Sequence, residues 1–140
     1  MSEEQWTAVD RYLTDLLVPP DPAFGAALQA SAEAGLPAIS VSPNQGKLLW
    51  LLAKMHGARS ILEIGTLGGY STIWLARALP SDGRLMTLEV DRQHADVARQ
   101  NLTAAGLENI VDLRVGPALE TLPRLAAEVT VHDHHSGAWA

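Results

Sequence analysis

The sequence predicts an α/β domain in which N-terminal helices lead into a β-α-β-α-β run, and three observations carry that prediction. Up to Gly57, apolar residues recur at helical spacing between cap and stop signals. From Ser60 onward, short apolar runs alternate with amphipathic stretches. A glycine-rich turn, Gly65-Thr66-Leu67-Gly68-Gly69, joins the first of these runs to the next helix. The alternation predicts a parallel, right-handed, doubly wound sheet with helices on both faces.

Each element has a local cause. Ser2 caps a helix with Gln5 reaching back, and Trp6, Val9, Leu13 and Leu16 share one face before Pro19-Pro20 stops it. Asp21-Pro22 opens a second, alanine-rich helix anchored by Phe24 and Leu28, which Gly35 and Pro37 end. Ser42-Pro43-Asn44-Gln45 is a further capping box, leading into a leucine-rich helix that Gly57 closes. Ile61, Leu62 and Ile64 form the first strand, and Tyr70 to Leu79 reads as a helix. After the turn Pro80-Ser81-Asp82-Gly83, Arg84 to Val90 is a second strand and Arg92 to Ala105 an amphipathic helix ended by Gly106. Ile110 to Val115 supplies a third strand, and Gly116-Pro117 opens a last short helix through about Ala126.

The chain has 140 residues, 47% apolar and 19% charged, the size and mix of one globular domain. A formal net charge of −6 opposes binding to nucleic acid or anionic lipid through bulk charge. Without cysteine there is no disulfide, no thiolate metal site and no cysteine nucleophile. Met1-Ser2-Glu3-Glu4-Gln5 is acidic where a secretory signal is basic, and the longest apolar run, Leu48 to Ala53, is too short to span a bilayer. A cytoplasmic protein with neither nucleic-acid nor membrane partners is expected.

In an open α/β sheet, ligands sit outside the carboxyl ends of the strands, which makes residues 65 to 69 the expected pocket wall. Glycine lets backbone approach a ligand, and the following helix N-terminus offers unpaired N–H groups; a tight turn alone would also account for these glycines. Glu89 closes the second strand where an acidic side chain can accept hydrogen bonds from ribose hydroxyls, or stand as a solvated strand-end carboxylate. Glu63 lies inside an apolar run, where it needs a cationic ligand group or a backbone donor to offset its burial. Counting from Gly65, Leu67 and Tyr70 stand where a dinucleotide fingerprint has its second and third glycines, so a pyrophosphate cradle is poorly supported. A ribose-bearing ligand with a small carboxylate, a cationic centre and no phosphate fits better, and S-adenosylmethionine has those parts.

Four blocks carry a resemblance: Ser42-x-x-Gln45-Gly46-x-Leu48-Leu49, Leu62-Glu63-Ile64-Gly65-Thr66-x-x-Gly69-Tyr70-Ser71, Asp82-Gly83-Arg84-x-x-x-Leu88-Glu89, and Gly116-Pro117-Ala118. From about residue 39 to about residue 125, the sequence resembles the cation-dependent class I O-methyltransferases of the catechol and caffeoyl-CoA type. The resemblance implies a Rossmann-like fold, S-adenosylmethionine as methyl donor, and in-line transfer of its methyl to a metal-bound hydroxyl of a small, catechol-like acceptor. It implies that Val41 contacts the amino-acid end of the donor through its backbone, with Glu63 near the same end. Gly65 and Thr66 then line the turn, Ser71 bonds the donor's carboxylate, Glu89 takes the ribose hydroxyls and Ala118 lies against adenine. The family also uses a divalent cation of the Mg type, but the Asp-Ala-Asp type motif and the later Asp-Asn pair that hold it do not occur in this sequence. No metal ligand and no catalytic residue is assigned.

The expected organisation is a partial O-methyltransferase domain over residues 1–128, with N-terminal helices to residue 57 and a nucleoside-binding β-α-β-α-β core over 58–128. A divergent tail, 129–140, follows. His132, Asp133, His134 and His135 in that tail are read as weakly ordered rather than as a metal site, because consecutive residues of an extended chain point in opposite directions. The family's strand order makes the first strand central, so a sheet ending before a fourth strand has a bare apolar edge. Marginal stability, homo-oligomerisation or pairing through that edge, and low or no turnover are therefore expected. A non-catalytic nucleoside-binding or interaction module is the alternative reading, and an NAD-linked oxidoreductase a weaker one. His56 and His94 are read as surface or helix-end residues, and Trp50 and Trp74 as core.

Overall fold

The computed structural model describes the backbone of residues 2–136 and the side chains of residues 2–127. Three helices come first: α1 (Glu3–Leu17), α2 (Pro22–Glu33) and α3 (Pro43–Met55). Then β1 (Ser60–Ile64), α4 (Tyr70–Ala78), β2 (Arg84–Glu89), α5 (Arg92–Ala104), β3 (Val111–Val115) and α6 (Ala118–Ser136) alternate as expected. The capping boxes at Ser2 and Ser42 form, and Asp21 and Asp91 cap α2 and α5 through their carboxylates.

The sheet is parallel, in the order β1-β2-β3. Ser60 to Ile64 pairs in register with Arg84 to Leu88, and Leu85 to Glu89 with Val111 to Val115. Both crossovers advance the sheet in the same direction, so right-handed connections place α4 and α5 on one face. Ile73 and Ala76 of α4, Leu102 of α5, Ala27 of α2 and Leu85 of β2 share a single core there, with Ile61 packed against it. The expectation of helices on both faces is thus only half met at β1. Leu62 and Ile64 point to the opposite face and remain 50% and 61% exposed. Among the described residues, β1 pairs only with β2, as the expected bare edge requires.

Two further expectations, on Trp50 and on the last helix, need correction. The apolar face of α1 forms as expected but is left uncovered: the helix buries no residue, and Trp6 and Leu16 are 58% and 63% exposed. Helical spacing makes a face but does not supply the surface that covers it. Trp50 is half-buried, with the Nζ atoms of Lys47 and Lys54 lying 4.6 and 5.7 Å from its ring centroid. Trp74, by contrast, is core and stacks on Phe24 at 4.2 Å. The last helix continues past Ala126 to Ser136, because no residue between Pro123 and Gly137 is a strong breaker. The side chains of His132, Asp133, His134 and His135, and all of residues 137–140, lie outside the described residues.

Candidate functional site

The site grows from the way the sheet ends. Beyond the strand tips, Gly65 N donates to Leu88 O and Gly116 N to Glu89 O, each at 2.8 Å, so both exits stay tied to β2. The chain then turns sharply, with Gly65 at φ +91° and Leu67, a non-glycine residue, at φ +51°. The left-handed conformation at Leu67 costs about 1 kcal/mol and is held by what it aims at. The amides of Thr66 and Leu67 both donate to Glu89 Oε2, at 3.1 and 2.8 Å. On the outer side Asn101 Nδ2 donates to Gly68 O at 2.8 Å and to Ala27 O at 3.3 Å, and a Cβ at Gly68 would collide with the Ser31 side chain. The turn is fixed from both sides.

Glu89 is only 6% exposed, yet its carboxylate is well supplied with donors. Besides the two turn amides on Oε2, Asp91 N donates to Oε1 at 2.9 Å. A carboxylate offers about four lone-pair positions, so Oε1 keeps capacity for a further donor. His94 Nδ1 stands 3.8 Å from that same oxygen.

The protein donors to Glu63 are side-chain hydroxyls rather than the backbone donor expected. Three hydroxyls donate to it: Ser71 Oγ to Oε1 at 2.6 Å, and Thr72 Oγ1 and Thr87 Oγ1 to Oε2 at 2.6 and 2.7 Å. The sequence reading missed these donors because they come from α4 and β2. The proton count follows from the carboxylate, which only accepts when ionised. Thr87 gives its proton to Glu63, so across the 2.6 Å contact between the two threonines Thr66 Oγ1 donates to Thr87 Oγ1. In the same way Ser71, whose proton is on Glu63, turns only lone pairs toward its other side.

Above this network lies a cavity of about 290 Å³, near the lower end of the roughly 300–1,000 Å³ of small-molecule clefts. Val41, Gly65, Thr66, Ser71 and Glu89 all line it. Glu63 is not in the lining and reaches it through Ser71. Ala118 is not in the lining either; it opens α6, just after Gly116 leaves the tip of β3 beside Glu89. The structure adds Tyr70, Ile39 and His94 to the wall. His94 was legible in principle: Asp91 caps α5, and a side chain in the first turn leans back toward the strand that precedes the helix. Leu67 and Tyr70, at the two positions where a dinucleotide fingerprint has glycine, also face the cavity.

The family model described as O-methyltransferase matches residues 24–135, which includes the whole α/β core and reaches into the segment read as a divergent tail. The chain belongs to the O-methyltransferase family. It is 56% identical over 128 residues to the catechol O-methyltransferase of Niastella koreensis, covering 91% of this chain and 58% of that protein. It is 58% identical over 118 residues to the catechol O-methyltransferase of Mycobacterium tuberculosis, covering 84% and 54%. Among solved structures, the O-methyltransferase from Bacillus cereus in complex with SAH superposes with a TM-score of 0.86 at 55% identity, covering 89% of this chain and 56% of that one. TomG from Streptomyces achromogenes, in complex with SAM, gives 0.84 at 54% identity with coverages of 89% and 56%. The chain therefore spans little more than half the length of these curated relatives.

The divalent cation that the sequence resemblance implies finds no ligand set among the described residues. Among them, no three His, Asp or Glu side chains come together as the ligands of a cation would. Nor, among them, is any helix long and apolar enough to cross a membrane.

Proposed function

We propose that this chain forms the methyl-donor site of an S-adenosylmethionine-dependent O-methyltransferase whose acceptor is a small, catechol-like molecule. One observation carries the reading. Val41, Gly65, Thr66, Ser71 and Glu89, assigned to the donor by resemblance, converge on one cavity, with a buried carboxylate at its β2 side and the start of a helix at its α4 side. The relatives named catechol O-methyltransferase support the acceptor class, and the solved relatives with SAM or SAH support the donor.

Bound here, S-adenosylmethionine supplies a methyl group activated by its sulfonium. The chain's residues bind and orient it. Glu89, already anchored by three amides, has the spare lone pair on Oε1 to accept from a ribose hydroxyl. The N-terminus of α4, where no side chain caps the free amides, suits the donor's carboxylate. Ser71 Oγ, its proton held by Glu63, offers an acceptor to the ammonium group and takes the carboxylate only by rotating away from Glu63. Val41 lines the same cavity, its backbone assigned to the amino-acid end by resemblance, and Ala118, beside the β3 exit, is the residue for the adenine side.

Calorimetric titration of S-adenosylhomocysteine into this chain, with circular dichroism to establish that it is folded, tests the reading. One saturable site is expected. A folded chain that gives no heat at millimolar ligand overturns it.

A further inference from the structure

His94 Nδ1 and Glu89 Oε1 face each other at 3.8 Å in the cavity wall. That is too long for a direct hydrogen bond, yet a single oxygen atom about 2.8 Å from each would bridge them. With its proton on Nδ1 the imidazole is the opposite of the carboxylate: Nδ1–H donates, and the carboxylate only accepts. A hydroxyl does both at once, donating to Glu89 and accepting from His94. Both groups are held in place from behind. Glu89 is fixed by the amides of Thr66, Leu67 and Asp91, and His94 stands in the first turn of α5 with its own amide donating to Asp91 Oδ1 at 3.1 Å. The His94 side chain is 23% exposed against 7% for that of Glu89, which places the histidine at the mouth and the carboxylate deeper.

We propose that His94 is a second jaw of the ribose clamp: it donates to the one sugar hydroxyl that Glu89 accepts from, and so selects ribose over deoxyribose ligands. The inference rests on the reading of the cavity as an adenosyl site. Glu89 alone tolerates any donor in that space; paired with the Nδ1–H tautomer of His94 it calls for a group that both donates and accepts at one atom, as a hydroxyl does.

The test is calorimetric titration of S-adenosylhomocysteine and its 2′-deoxy and 3′-deoxy analogues into the full chain, its His94→Ala variant and its His94→Asn variant. In the unaltered chain, removing the clamped hydroxyl is expected to weaken binding at least tenfold, because it leaves both partners unmatched. His94→Ala is expected to weaken the ribose ligand about fivefold, the worth of one hydrogen bond, and to shrink the deoxy penalty by a similar factor. His94→Asn, whose Nδ2 reaches the position of the histidine Nδ1, restores most of both. Equal deoxy penalties in the unaltered and His94→Ala chains overturn the proposal and leave a bridging water only. Absence of any binding to the unaltered, folded chain instead overturns the adenosyl reading, and the clamp with it.

Discussion

Ser71 donates its hydroxyl proton to Glu63 across 2.6 Å, joining the first turn of α4 to the carboxyl end of β1 beneath the cavity. Thr72 and Thr87 add two more hydroxyls to the same carboxylate. A charged side chain in an apolar strand is thereby satisfied wholly by the fold, and its negative charge reaches the cavity through a serine oxygen. Glu63→Gln replaces one accepting oxygen by an amide donor facing hydroxyls that also donate. It is expected to lower unfolding free energy by about 1–3 kcal/mol, measured by urea denaturation. A change below about 0.5 kcal/mol, the range of ordinary surface substitutions, would contradict the network.

Glu89 has two duties, and one variant reads both. Glu89→Ala strips the acceptor from the amides of Thr66, Leu67 and Asp91. Stability is expected to fall by at least about 1–3 kcal/mol, the cost of leaving buried polar groups unpaired. Affinity for S-adenosylhomocysteine is expected to fall more than tenfold in calorimetry at a temperature where the variant is folded. Retained affinity would show that the carboxylate serves the turn alone.

The contact between Gly68 and Ser31 predicts a rescue. Gly68→Ala drives a methyl group into the Ser31 side chain and is expected to cost about 1–3 kcal/mol, as overpacking does. Ser31→Gly removes the obstacle, so the double variant is expected to recover most of that loss in a thermal-melt cycle. Strict additivity of the two changes would refute the clash.

The uncovered side of β1 predicts association. With Leu62 and Ile64 exposed and only one neighbouring strand among the described residues, the chain is expected to sediment with a concentration-dependent coefficient in the micromolar range. Leu62→Lys with Ile64→Lys is expected to abolish that dependence. A sharp, reversible, concentration-independent melt of a monomer by the unaltered chain would refute it.

Local chemistry made most of the scaffold legible. The Ser2 and Ser42 boxes, the Asp21 cap and the turn closed by Gly83 N donating to Pro80 O depend on residues within a few positions of one another, and all stand where the sequence put them. Of the cavity-lining positions, Gly65, Thr66 and Glu89 were legible from the rule that ligands sit beyond the strand tips, whereas Val41 and Ser71 came only from a motif resemblance, which carries long-range information that spacing lacks. What stayed hidden were facts about partners distant in sequence. Periodicity gave α1 an apolar face but could not say whether anything covers it. The hydroxyls around Glu63 come from residues 8, 9 and 24 positions away. His94, only five residues from Glu89, is a different case: it was read as an ordinary helix-end histidine although the Asp91 cap would have turned it back toward the strand tip.

Asn101 grips Gly68 O with the same amide that holds Ala27 O. The bend that forms one wall of the cavity and the spine of α2 are therefore fastened by a single pin set in α5. Slackening at either end is transmitted to the other, so hydrogen-exchange protection at Gly69 and in the middle of α2 should rise together when a ligand stiffens the bend, even though no residue of α2 lines that ligand's seat.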